Sequence, residues 1–295
     1  MNQLAAFAAM GFVCVATPFA EAAETPATAK RTDNRPLLSV PIGLFDDTPY
    51  LQVRVNDSAP LTFIVDSGAS ACVLDKQQCQ TLGIRLTGKR QGTGAGAGTY
   101  DLFYIEKVRF AFASLTFVPE KSYAIDLSKV DGPNGKPPAG ILGYDFFERY
   151  IVAIDYPRSS LTIYDPKTFS YRGTGEILPL VFKKKVPWVK GTIRVPGHAP
   201  VGGREWLVDS GSSDTLNDDL LAQSTGPKST TTGGVGLGRK FEILRATAEE
   251  VQLGKLRFPN VTGFSGAMKI GGGLLRQFRV IFDYPGKRMI LERGG

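Results

Sequence analysis

The sequence predicts a mostly β protein built by internal duplication, and three observations carry that expectation. First, the tripeptide Asp-Ser-Gly occurs twice, as Asp66-Ser67-Gly68 and Asp209-Ser210-Gly211, each closing a short apolar run (Phe63-Ile64-Val65 and Trp206-Leu207-Val208). An apolar run of that length ended by a glycine turn reads as a buried strand. Second, a matching series follows each copy. It comprises a glycine-rich stretch, an apolar-Gly element (Ile141-Leu142-Gly143; Lys269-Ile270-Gly271) and a strand that ends in Asp-Tyr-Pro (Val152 to Pro157; Val280 to Pro285). From the glycine to the aspartate the interval is 12 positions in both halves. Third, 34 glycines and 19 prolines in 295 residues suit many short strands and turns better than a helical bundle.

Taken in order, Leu51, Val53 and Val55 alternate with Gln52 and Arg54 as a half-buried strand, and Leu61 to Val65 returns to Asp66. Asp75 caps a short helix through Gln78 and Leu82 that Gly83 ends. The glycine-rich stretch 92–98 precedes strands at 101–112 and 115–118. The Pro/Gly loop 131–138 accounts for the longer first half, 77 positions from Asp66 to Gly143 against 62 from Asp209 to Gly271. Beyond Gly143 come a helical turn (144–149) and strands at 151–155 and 160–164. In the second half, strands are expected at 178–182 and 188–195 and in the run to Asp209. A short helix over 216–223, a glycine-rich loop at 233–238 and strands at 241–246, 251–253 and 256–258 follow. A helical turn at 274–277 and strands at 280–285 and 289–291 close the chain.

Residues 4–20 are apolar, and Ala20-Glu21-Ala22 offers a small-x-small cleavage pattern, so residues 1–22 read as an export signal cut after Ala22. No Lys or Arg precedes the apolar run, which leaves an uncleaved anchor as the alternative. Residues 23–36 read as a disordered polar tether. The expected division is then 37–170 and 171–295. An exported protein that keeps Cys72 and Cys79 could pair them or bury two separate thiols, and spacing does not choose.

Several functions are excluded by composition. The formal charge of +7 is spread along the chain, with Lys183-Lys184-Lys185 its densest run, so it reads as a solvated basic surface and not as a nucleic-acid footprint. His198 is the one histidine and sits in a Pro-Gly turn, which leaves a Ser-His-Asp triad or a metal site without ligands; no metal or cofactor is expected. The stretch Gly92 to Gly98 alternates and does not match a nucleotide-binding fingerprint.

Val65-Asp66-Ser67-Gly68-Ala69-Ser70, the glycine-rich loop and Ile141-Leu142-Gly143 resemble a lobe of a retropepsin-like aspartic protease. The second half resembles another such lobe, and together, over about Leu37 to Glu292, they resemble a two-lobed bacterial aspartyl protease. The second half departs from the pattern at Lys269. The resemblance implies two β-barrel lobes about an approximate two-fold axis with the active-site cleft between them. Asp66 and Asp209 would be catalytic, supported by Ser67, Gly68, Ser210, Gly211 and Ser212. Gly94, Ala95 and Gly96 would form a flap over substrate, with Tyr100 either closing on substrate or lying beneath the flap. It also implies an extended peptide substrate and a self-sufficient monomer, since one chain carries both aspartates.

A hydroxyl at Ser212, where the first half has Ala69, could hydrogen-bond Asp209 and favour its ionised form. The shared proton would then sit on Asp66. A catalytically weak peptide-binding protein of the same fold is the competing expectation, and Lys269-Ile270-Gly271 is its best support.

Overall fold

The computed structural model describes residues 34–92, 99–233 and 241–293. The leader expected at 1–22, most of the tether, the flap residues Gly94, Ala95 and Gly96 and nearly all of the second glycine-rich loop lie outside the described residues. Asn34, at the end of the expected tether, exchanges hydrogen bonds with the backbone of Ser170.

The protein is mostly β and contains a closed six-stranded barrel. Among the described residues, strands from Gly43 to Leu142 form a ten-stranded sheet, and Leu38–Pro41, Ile151–Asp155 and Ser160–Tyr164 join the second-half strands in a thirteen-stranded one. In the first, Leu61–Val65 lies antiparallel to Thr48–Val55 and parallel to Gly140–Leu142, with Val65 opposite Leu142. In the second, Val201–Asp209 lies antiparallel to Val186–Arg194 and parallel to Lys269–Gly271, with Asp209 opposite Gly271. The barrel closes because Phe241–Leu253 returns to pair with Val186–Arg194.

The strands that echo one another in sequence are neighbours in space. Ile151–Asp155 pairs antiparallel with Phe278–Asp283, and Val152 faces Phe282, Ala153 faces Ile281 and Ile154 faces Val280. Each has a fully apolar run buried on both faces, so each requires a strand on either side. Behind them Phe147 stacks on Tyr284 at 5.1 Å and meets Phe282 at 5.3 Å, while Phe182 packs edge-on to Tyr284 at 4.7 Å. Each buried aromatic contributes roughly 1.5–3 kcal/mol of apolar burial, and this cluster draws residues from both halves of the chain.

The helix behind Asp75 forms as expected over Lys76–Thr81. The Asp75 carboxylate accepts the Gln77 and Gln78 N–H groups, and Gly83 follows at φ +67°. Other elements differ. The expected helix at 216–223 is instead a strand, Leu216–Asn217, followed by a 3-10 turn, Asp219–Gln223. Asp218 is the reason: its carboxylate caps the turn through the Leu220 N–H, so the turn begins after it. The strand at 101–112 is broken between Ile105 and Phe110, because both backbone groups of Arg109 are taken by Asn56. Strands 241–246 and 251–253 are one, Phe241–Leu253. Leu86–Gly92 and Lys228–Gly233 are strands with largely exposed polar residues and no apolar alternation to announce them.

Cys72 and Cys79 are both free and buried. The Cys72 sulfur accepts the Gly143 N–H at 3.3 Å, and Cys79 sits on the core face of the capped helix.

Candidate active site

Each aspartate of interest stands where an apolar strand meets a turn. Asp66 follows Leu61–Val65, and its N–H donates to the Leu142 carbonyl at 3.0 Å. Asp209 ends Val201–Asp209. Both turns close alike, with Ala69 N–H donating to Asp66 O and Ser212 N–H to Asp209 O. Both are locked to the following apolar-Gly element, Tyr144 N–H to Ala69 O at 2.9 Å and Gly272 N–H to Ser212 O at 2.6 Å. A Cβ at Gly143 would meet Ala69 O at 2.8 Å and one at Gly271 would meet Ser212 O at 2.6 Å, so both positions need glycine for this close approach.

The structure brings the two turns together. Ser67 N–H donates to the Ser210 hydroxyl at 2.9 Å, and Ser210 N–H donates to the Ser67 hydroxyl at 2.9 Å. The Ser67 hydroxyl in turn donates to Val208 O and the Ser210 hydroxyl to Val65 O, both at 2.8 Å. Both serines are fully buried. Four groups that burial would otherwise leave unpaired are thereby satisfied. The Tyr284 hydroxyl adds a donor to Ser67 O at 2.8 Å. Tyr156, its counterpart in the sequence repeat, has a buried hydroxyl without a hydrogen-bond partner in the described residues.

Held this way, the Asp66 and Asp209 carboxyls lie close enough to act on each other electrostatically. Each lies against the other's glycine. A Cβ at Gly68 would sit 2.9 Å from the Asp209 carboxyl carbon, and one at Gly211 would sit 2.6 Å from Asp66 Oδ2. Gly68 N–H also donates to Asp66 Oδ1 at 2.7 Å. Burial and the charge of Asp209 push the Asp66 carboxyl well above the usual carboxylate range. Burial raises Asp209 too, but the Lys269 ammonium opposes it. Both carboxyls are thus raised, and the one at Asp209 alone has a cation working against the rise.

Ser212 departs from expectation. Its hydroxyl accepts Lys269 Nζ at 2.7 Å and the Asp214 N–H at 3.3 Å, in place of a bond to Asp209. The charge that acts on Asp209 from this side is Lys269, which lies 3.9 Å from Asp209 Oδ2 and 2.9 Å from Asp214 Oδ2 with its side chain 14% exposed. At 4 Å a pair of unit charges near a protein surface is worth about 4 kcal/mol before desolvation is set against it. Burial alone would lower the lysine, but Asp209 and Asp214 outweigh it and keep the amine protonated. Lys269 and Asp214 were not among the expected site residues. The signal was present, a lysine where the first half has Ile141, but the ion pair needs the pairing of Leu207 with Lys269 to exist.

Tyr100 is half-buried at the base of the 93–98 segment, and it packs on an apolar cluster that includes Tyr50, Ile64, Val73 and Ile141. His198 is exposed, with Nε2 3.0 Å from the Gln223 carbonyl. A cavity of about 620 Å³ lies elsewhere, lined by Asp155, Arg158, Glu176, Arg279 and Glu292 among others, and includes neither aspartate of the pair.

Residues 51–146 match the family model described as Aspartyl protease. Comparison with curated proteins returns no match. The matched segment runs from within Thr48–Val55 to just beyond Gly143, so it takes in the first Asp-Ser-Gly turn and the apolar-Gly element locked to it. Over that segment the chain carries an aspartyl protease family domain, consistent with the retropepsin-like aspartyl proteases.

Proposed function

We propose that this protein is an aspartic endopeptidase that hydrolyses peptide bonds with a water activated between Asp66 and Asp209, in a cleft between two lobes related by an approximate two-fold axis. One observation carries the reading. Two carboxyls from the ends of two separate buried strands come together, each packed on the other's glycine and close enough to shift the other's titration. Such a pair cannot bear two charges and shares one proton. Ionised Asp209 takes a proton from the attacking water as general base, and protonated Asp66 donates to the scissile carbonyl oxygen as general acid. The resulting tetrahedral diol collapses as a proton passes to the leaving amine. The pair titrates as a unit with two macroscopic values.

The approximate two-fold relation is supported by the reciprocal serine bonds and by the matched pairing of Val65 with Leu142 and Val208 with Ile270. An extended peptide or protein is the substrate class, bound by main-chain hydrogen bonds as an added strand. The reading includes a monomer, which holds both aspartates, and export to a periplasm or beyond on the strength of residues 1–22.

The test is cleavage of a peptide library by wild type, Asp66→Asn and Asp209→Asn, with and without pepstatin. Wild-type cleavage abolished by either substitution is expected. Cleavage that survives either one eliminates the reading.

A further inference from the structure

Lys269 is the most unusual group near the carboxyl pair, and the hydrolytic mechanism gives it no step. It stands on Lys269–Gly271, directly opposite Leu207, two residues before Asp209 on the neighbouring parallel strand. Its ammonium is held at three points, the Ser212 hydroxyl at 2.7 Å, Asp214 Oδ2 at 2.9 Å and Asp209 Oδ2 at 3.9 Å. The equivalent position of the first half is Ile141, which is 7% exposed and brings Asp66 no charge. The pair is therefore built asymmetrically, with a fixed cation on the Asp209 side alone.

We propose that Lys269 is a positioning residue that keeps the negative charge on Asp209, so that the shared proton stays on Asp66, and that Asp214 moderates its effect. The inference rests on the hydrolase reading for its consequence, the direction in which protons move during catalysis, but the charge arrangement can be measured without turnover. The charged and titratable groups facing Asp209 are Asp66 across the contact, Lys269 from the adjacent strand, Asp214 from its own turn, and the Tyr156 and Tyr284 hydroxyls. Burial pushes both tyrosines up, so they stay neutral over the working range. Asp47, which faces Tyr156, is paired with Arg276 at 3.4 Å. Among the described residues Lys269 is thus the cation that acts on Asp209, and Asp214 the anion that partly offsets it.

Neutralising the two neighbours makes predictions of opposite sign. Lys269→Met keeps the side-chain length and removes the charge. The acid limb of kcat/KM should then move to higher pH by about one unit or more, as expected on removing an adjacent opposite charge. Asp214→Asn leaves the full ammonium to Asp209 and should move the same limb to lower pH. Lys269→Arg keeps the charge and should stay close to wild type. Loss of packing alone would not produce shifts in opposite directions.

The experiment is the pH profile of peptide cleavage by the full chain and these variants. It is paired with a carbon-13 carboxyl NMR titration that follows Asp66 and Asp209 in the same proteins. A Lys269→Met acid limb and lower macroscopic value that coincide with wild type would overturn the proposal. So would a Lys269→Arg profile that matches Lys269→Met. If Lys269→Met does not fold, Asp214→Asn carries the test, and an unmoved or upward-moved limb there overturns it. If wild type cleaves no peptide, the hydrolase reading falls, while the NMR titration still decides whether Lys269 sets the charge on Asp209.

Discussion

The Ser67 and Ser210 hydroxyls each accept the other's backbone N–H at 2.9 Å and each donate to a carbonyl of the facing turn at 2.8 Å. Removing either hydroxyl strands one buried N–H and one buried carbonyl. Each unsatisfied group costs about 1–3 kcal/mol. Ser67→Ala and Ser210→Ala should therefore each lower unfolding free energy by roughly 2–5 kcal/mol in urea titrations. The two hydroxyls have no bond in common but close one contact, so the double variant should lose less than the sum. A loss no larger than the roughly 0.5 kcal/mol of ordinary surface substitutions would mean the contact is not formed in solution.

A methyl group at position 211 has nowhere to go. Its Cβ would sit 2.6 Å from Asp66 Oδ2 and 2.9 Å from the Asp66 Cβ. Gly211→Ala should push the Asp66 carboxyl off its partner while leaving the sheets intact. A displacement near 1 Å can cost on the order of 100-fold in rate. Peptide turnover measured beside a thermal melt checks this, and full activity in a folded variant would contradict the close approach.

The pair makes stability depend on pH in a definite direction. Asp66 is raised well above its ordinary value, first by burial and then by Asp209. Between the unfolded value near 4 and the folded value, the native state binds a proton that the unfolded state does not. Stability therefore falls as pH rises through that window. Asp66→Asn removes the ionisation and should melt at a higher temperature than wild type at neutral pH. The gap should close as pH drops towards about 4. Melts of both proteins across pH decide it, and a gap that widens on acidification would reverse the assignment.

Asp218 is fully buried and accepts Trp206 Nε1 at 2.8 Å, Arg204 Nη2 at 2.6 Å and the Leu220 N–H at 2.9 Å. An amide at this position must turn donors towards donors. Asp218→Asn should cost about 3–5 kcal/mol, the range for breaking a buried ion pair. Chemical denaturation measures it, and a cost near zero would show that the guanidinium can leave for solvent.

Burial raises the thiol of Cys79 to about 12, with Asp75 adding to it, and burial raises Cys72 as well. In a Cys14→Ser background, neither thiol should react with a water-soluble disulfide reagent until the protein unfolds, and reductant should leave the melting temperature unchanged. A stabilised oxidised form would overturn the finding of two free thiols.

Much of the candidate site was legible in the chain. Asp66, Ser67 and Gly68, and likewise Asp209, Ser210 and Gly211, stand out because each set forms one contiguous turn behind one apolar run. The Asp75 cap and the Gly83 stop were legible for the same reason, since a cap acts over three or four residues. Ser212 was read as acting on its nearest carboxylate, yet its hydroxyl holds Lys269, which is distant in sequence.

By itself the sequence determined the repeat and the two turns, because those depend on local pattern. Tertiary structure alone decided which strands lie side by side. The apolar runs at Ile151–Asp155 and Phe278–Asp283 could have paired with many partners of equal hydrophobicity, and their pairing with each other is a long-range choice. The ion pair at Asp209 is of the same kind. Parallel pairing of Val201–Asp209 with Lys269–Gly271 brings a lysine to within 3.9 Å of a buried carboxylate, and at that range charge outweighs anything the neighbouring residues in sequence supply.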